Sequence, residues 1–236
     1  LGEREVITFG LQGGNDYSAA HIQMHHGAFP EYDILYQGKA IGHVRLDVPG
    51  MHNVPNSLAA IAAAIHAGAS IEQCIAGLES FHGRRFEKLA VCNGVTIADD
   101  YAHHPAELRV TLDAALKMGY HAVWAVFQPF TYSRTYLLME DFVNVLRMAD
   151  HVVMTEIMGS RERNTYNVYT AQLAAKIPGS VWFHTFEEVA QYVVEHAEPN
   201  DLVITLGCGD IYKAARLMIQ KYKAQNAIVE PLTHHA

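Results

Sequence analysis

The chain has 236 residues, half of them hydrophobic, and a formal charge of −8 with histidine neutral. That length can bury the core of one large or two modest domains, and the acidic balance argues against a nucleic-acid partner. No apolar run is long enough to span a bilayer, no signal-type segment is visible at the start, and Cys74, Cys92 and Cys208 form neither a metal spacing nor an even disulfide set, which fits a reducing cytoplasm.

The chain starts at Leu1 and enters at once on a strand-like run, Glu5 to Phe9, so a fragment of a longer protein is expected. Residues 1 to about 50 read as β. Val6 to Phe9 stops at Gly10, Gly13 to Asp16 is turn chemistry, Ala19 to His26 alternates weakly, and Tyr32–Tyr36 with Ala40–Val48 flank a hairpin turn at Gln37-Gly38-Lys39. The expectation is a small antiparallel sheet of about three short strands. Pro49 to Asn53 breaks it. An alanine-dense helix follows, Val54 to Ala67, its small side chains suited to close packing, with Gly68 just past its end. Ser70 caps a second helix running to about Ser80, with Glu72 in its first turn. Phe81 to Arg85 connects, and the domain boundary falls between Arg85 and Asn93, giving domains of residues 1–88 and 89–236.

Beyond Phe86 the rhythm becomes βαβ. Strands at Val95–Ala98, His121–Phe127, His151–Thr155, Val181–Phe183 and Leu202–Leu206 alternate with helices at about 106–117, 134–147, 169–176, 187–197 and 210–223. That predicts an α/β, Rossmann-like, mostly parallel doubly wound sheet, preceded by the small antiparallel sheet and its helices. Right-handed crossovers put the loops after the strands on one edge, where such sheets bind ligands. Those loops carry Asp99-Asp100-Tyr101-Ala102-His103-His104-Pro105, then Gln128 to Thr135, Glu156 to Arg163, and Gly207-Cys208-Gly209-Asp210. The opposite edge, at 117–119 and 198–200, is ordinary turn chemistry.

Each group has a plain reading beside a functional one. The histidines of the first loop could cap or solvate it, and adjacent residues do not face one metal. Two glycines around Cys208 could cradle a phosphate at a helix start, or simply allow a tight turn. Cys208 has no base near it in sequence to make it a nucleophile. Arg84-Arg85 could be a solvated pair or a phosphate clamp, since the guanidinium fork grips two oxygens. Asn53 and Asn56 could cap a helix or read the N6 and N7 edge of adenine.

Taken together, Gly50 to Ala60, Phe81 to Glu87, Asp99 to Pro105, Phe127 to Pro129 with Tyr132 to Thr135, and Gly207 to Ile211 resemble, in that order, the Mur ligases. The Asp-Asp-Tyr-x-His-His-Pro and Gln-Pro-x-x-Tyr-Ser-Arg-Thr stretches are similar to the branch that joins L-alanine to UDP-N-acetylmuramate. The family has an N-terminal UDP-binding domain, a central ATPase domain and a C-terminal Rossmann-like domain, and this chain resembles the end of the second and all of the third. The family's phosphate loop and its magnesium ligands would then lie upstream, and no Gly-Lys-Thr or Gly-Lys-Ser occurs in these residues. The resemblance implies an ATP- and Mg2+-dependent ligase of peptidoglycan precursor synthesis that works through an acyl phosphate, with this piece inactive alone. It implies that His52, Asn53 and Asn56 face adenine, that Asp100 accepts the ribose hydroxyls, and that Arg85, with Arg84 beside it, lies against the transferring phosphate. Tyr101, His103 and Arg134 would line the amino-acid pocket, His103 orienting or deprotonating the amine. Residues 86–94 would be a hinge. This sequence departs from the family at Phe130-Thr131, where His-Arg or His-Thr is common, and at Cys208, where alanine is common. Alternatives are a non-catalytic nucleotide or amino-acid binding module, and a related murein peptide ligase. A Gly-Lys-Thr loop encoded upstream would separate the ligase from the module.

Overall fold

The computed structural model describes residues 6–81 and 85–232. The chain divides into two compact units at residues 82/83.

The first unit is a four-stranded sheet of β1 (Phe9–Gly10), β2 (Tyr17–His25), β3 (Phe29–Tyr36) and β4 (Lys39–Arg45), in that order, with helices α1 (Asn53–His66) and α2 (Ile71–Glu79). β2, β3 and β4 pair antiparallel, whereas β1 runs parallel to β2, one strand more than the sequence suggests. Residues 6–8 of the expected run are not strand, and Glu5 lies outside the described residues; at Thr8 the Asp16 carboxylate takes the backbone, its Oδ2 accepting hydrogen bonds from Thr8 N at 2.8 Å and Thr8 Oγ1 at 2.9 Å. Tyr32, Ile34, Val44 and Leu46 point inward onto Val54, Leu58 and Ile61 of α1. The buried Tyr32 hydroxyl is satisfied by Ser57 Oγ at 2.6 Å, and burial pushes its pKa up to about 12. Another side of the strands carries a polar ladder: His21 Nδ1 and His43 Nδ1 each meet Asp33 at 2.7 Å, and His43 Nε2 meets Glu31 at 3.0 Å. His21 and His43 are therefore solvated strand surface.

The second unit holds β5 (Glu87–Cys92), β6 (Val95–Asp100), α3 (Pro105–Leu116), β7 (Val123–Phe127), α4 (Tyr132–Leu137), α5 (Met139–Leu146), β8 (His151–Thr155), α6 (Thr170–Ala174), β9 (Val181–Phe183), α7 (Phe186–His196), β10 (Leu202–Leu206), α8 (Tyr212–Ala224) and β11 (Val229–Pro231). Its seven-stranded sheet has the order β11-β5-β6-β10-β7-β8-β9. The five strands from β6 to β9 are mutually parallel, as expected; β5 runs antiparallel to β6 and β11 antiparallel to β5. Helices cover both faces. Leu108 and Leu112 of α3 with Phe142 and Leu146 of α5 pack on one face, and Val189 and Val193 of α7 with Ala214 and Met218 of α8 on the other. All eight are fully buried, and each of the larger side chains contributes about 1.5–3 kcal/mol.

Three expectations change. The compact units part at 82/83 rather than at 88/89, and residues 86–94 are mostly β5 and the β5–β6 turn. β11, beyond the last expected helix, closes the edge beside β5. The helix expected over 134–147 is two helices parting at Leu138. The apolar periodicity behind that expectation belongs to α5, which buries Phe142, Val143, Val145 and Leu146, whereas α4 buries only Thr135.

Candidate active site

β6 and β10 lie side by side, with Asp100 opposite Leu206. The chain leaves β6 for α3 on one face and β10 for α8 on the other. This is the topological switch point at which a doubly wound sheet opens a crevice. The loops after β6, β7, β8 and β10 surround it.

The loop after β6 is held from within. Asp100, 4% exposed, accepts hydrogen bonds from Phe86 N and Ala102 N, each at 2.7 Å, and from Thr111 Oγ1 at 3.4 Å. Burial pushes its carboxyl above the usual range, against the pull of these donors and of Arg85. Asp99 is turned to the other side and takes the Thr205 hydroxyl at 2.7 Å. His104 is the N-cap of α3, its Nδ1 accepting from Ala106 N at 3.2 Å, so the capping reading holds for this histidine. Glu107, in the third position of α3, reaches back so that its Oε2 accepts His103 N at 3.0 Å and His104 N at 3.2 Å. Burial opposes its charge, but these donors, His103 and Arg85 hold its carboxyl below the usual range.

His103 is thereby fixed. Its Nδ1 lies 3.0 Å from the Tyr101 carbonyl and 3.3 Å from Glu107 Oε2. Both are acceptors, so the hydrogen-bond network places a proton on Nδ1 and leaves Nε2 outside these contacts. The ring meets Tyr101 edge-on at 5.5 Å and Phe130 at 6.4 Å. The exposed Arg85 guanidinium sits 5.9 Å from the Tyr101 ring centroid. Arg134, on α4, donates from Nη1 to the Phe130 carbonyl at 3.2 Å. The second unit thus gathers Arg85, Asp100, Tyr101 and His103, and joins Arg134 to them through Phe130, the residue that departs from the family pattern.

The two glycines around Cys208 serve packing. A Cβ at Gly209 would stand 2.4 Å from Met158 Sδ and 2.8 Å from Gln128 Oε1, and Gly207 has φ +150 with Gln128 O at 3.2 Å from its would-be Cβ. Gln128 Oε1 also accepts Asp210 N at 3.1 Å, so the tight-turn reading describes this loop.

In the first unit, Asn53 Nδ2 donates to the Pro49 carbonyl at 2.8 Å and Asn56 Nδ2 to Asn53 Oδ1 at 3.2 Å. His52 occupies the N-cap of α1 without a side-chain cap bond. Its ring lies where a Cβ on Gly50, at φ +103, would come within 2.5 Å. Arg84 lies outside the described residues. Sequence reasoning gave no role to Glu107 or Glu162, and none to Gln128 beyond its place in the Gln-Pro-x-x-Tyr-Ser-Arg-Thr stretch. Glu107 had a signal, a glutamate three residues after the cap position; Glu162 had none in local sequence. Among the described residues no group of three His, Cys, Asp or Glu side chains is placed to hold a metal ion.

Comparison with known proteins gives the fold and the loops a context. The model of the Mur ligase, glutamate ligase domain, matches residues 84–209, and that of the Mur ligase middle domain matches residues 2–64. A UDP-N-acetylmuramate–L-alanine ligase of Lachnospira eligens is 43% identical over 223 residues, covering 92% of this chain and 49% of that protein. One of Acetivibrio thermocellus is 39% identical over 222 residues, covering 91% and 47%. Among solved structures, the UDP-N-acetylmuramate–alanine ligase of Thermotoga maritima is similar with a TM-score of 0.74 at 25% identity, over 93% of this chain and 48% of that one. A murein peptide ligase of Psychrobacter arcticus shares the fold, with a TM-score of 0.60 at 22% identity over 91% and 46%. The chain spans about half the length of the curated relatives it matches.

Proposed function

This chain belongs to the Mur ligase family, and on that premise we propose that it supplies the amino-acid site and part of the nucleotide site of an ATP-dependent ligase joining L-alanine to UDP-N-acetylmuramate in the cytoplasm. In that reaction the muramate carboxylate attacks the γ-phosphoryl group of ATP, giving an acyl phosphate and ADP. The alanine amine then attacks the acyl carbon and phosphate leaves. Positioning and charge stabilisation account for most of such catalysis.

The reading is supported by one juxtaposition in the second unit: the His103 ring lies between the rings of Tyr101 and Phe130, with the Arg85 guanidinium near the Tyr101 ring and Arg134 hydrogen-bonded to the Phe130 carbonyl. Arg134 would hold the alanine carboxylate as a bidentate pair. His103 Nε2 would take the proton that the attacking amine loses. Tyr101 would line the pocket, and Arg85 would lie against the transferring phosphate. Asp100 would accept ribose hydroxyls with the lone pairs its backbone donors leave, and His52, Asn53 and Asn56 would face adenine.

The test is substrate dependence. The intact ligase should release phosphate only with ATP, UDP-N-acetylmuramate and L-alanine together, while this chain alone leaves ATP unhydrolysed. Turnover with a peptide in place of L-alanine would move the protein to the murein peptide ligases, and ATP hydrolysis by the chain alone would show that the phosphate site lies within these residues.

A further inference from the structure

The helix that carries Arg134 lacks a cap of its own: Thr131, at the N-cap of α4, makes no side-chain cap hydrogen bond. A carboxylate from another loop takes that place. Glu162 Oε2 accepts Ser133 N at 2.8 Å, and its Oε1 accepts Ser133 Oγ at 2.6 Å and Thr131 Oγ1 at 2.8 Å. These donors, with the charge of Arg134 nearby, hold the Glu162 carboxyl below the usual range although it is exposed. The loop bearing Glu162 is docked on the same segment at two more points. Met158 N donates to the Pro129 carbonyl at 2.9 Å, in a bridge that pairs Phe130 with Met158. Gly159 leaves room for the Tyr132 ring, whose Cε2 would lie 2.3 Å from any Cβ placed there. The free end of that loop is itself closed: Asn164 exchanges hydrogen bonds with Val168, at 2.8 and 3.1 Å. Glu162 is therefore presented by a built loop to a helix of six residues that buries only Thr135.

We propose that Glu162 is a positioning residue for the amino-acid substrate: by capping α4 from the β8–α6 loop it fixes the backbone at Thr131–Ser133 and so aims the Arg134 guanidinium at the substrate carboxylate. The inference rests on the role given to Arg134 above. It does not make Glu162 catalytic, since its oxygens touch only the loop. The carboxylate is suited to this task because ionised acceptors bind N–H and O–H donors about twice as strongly as neutral ones, and because anions are favoured at helix N-termini.

Two measurements test it together. Hydrogen exchange on this chain should show the Ser133 amide exchanging about tenfold faster in Glu162→Ala, with Glu162→Gln in between and the α5 amides unchanged. Steady-state kinetics of the intact ligase should show the L-alanine KM raised about tenfold in Glu162→Ala, with the ATP KM held and most of the loss recovered in Glu162→Gln. An unchanged Ser133 amide overturns the proposal, as does an L-alanine KM that stays put in Glu162→Ala while Arg134→Ala raises it. If Arg134→Ala itself leaves the L-alanine KM unchanged, the assigned role of Arg134 fails and the positioning proposal falls with it, while exchange at Ser133 still decides whether Glu162 caps the helix.

Discussion

The loops after β6 and after β7 carry His103 and Arg134, the two side chains proposed above for the amino-acid site, yet they are held in opposite ways. His103 is fixed by its own surroundings in sequence: the Tyr101 carbonyl, Glu107 four residues on, and Asp100 pinning Ala102. The helix behind it, α3, is anchored by Leu108, Leu112 and four further buried residues. Arg134 rides on α4, which is anchored by Thr135 alone and capped by a glutamate 29 residues from Ser133. The first loop borrows its rigidity from the core, and the second from a neighbouring loop. A substitution behind the first should therefore cost global stability, and one behind the second should cost local order with little global effect.

The largest effect expected is at Leu108, fully buried beneath the first loop. Leu108→Ala should destabilise the second unit by about 2–5 kcal/mol in denaturant unfolding; a loss well under 1 kcal/mol would show that α3 is not the anchor. Next is Asp100→Asn. It keeps one acceptor but sets an amide N–H₂ against Phe86 N or Ala102 N, leaving a buried donor unsatisfied at about 1–3 kcal/mol. Equal stability would mean that Asp100 does not pin that loop. The smallest global effect belongs to the second loop, and it has a sign. The Glu162 carboxyl is held below the usual range, so the clamp's contribution is present above the unfolded glutamate value, near 4.5, and is lost as pH falls through the lower folded value. Ser133 protection should be flat from neutral pH down to that region and collapse only below it, while Glu162→Gln shows no such step. A step near neutrality would contradict the assignment.

The same contrast explains what the sequence could disclose. The parallel sheet was legible because β6, β7, β8 and β10 are short apolar runs separated by helix-period segments. The first loop was legible because Asp99 to Pro105 concentrates its chemistry in adjacent residues and Pro105 marks the helix start. β5 was not, because Glu87 to Cys92 mixes Glu and Lys with apolar residues at an edge-side position and carries a register shift between Lys88 and Ala90. α4 was not, because its boundary is set by a carboxylate from elsewhere rather than by its own pattern. Glu162 sits in a charged run, Arg161-Glu162-Arg163, which the sequence places on the ligand-binding edge without naming its partner; only folding brings it to Ser133.

Whether the loops after β6 and β7 form an amino-acid site with Arg134 as its carboxylate holder is tested most directly by the steady-state kinetics of Arg134→Ala in the intact ligase. The KM for L-alanine should rise at least tenfold with the KM for ATP within about twofold of the unsubstituted enzyme, a difference of about 1 kcal/mol or more between the two substrates. Equal changes in both, or none in either, would contradict that role.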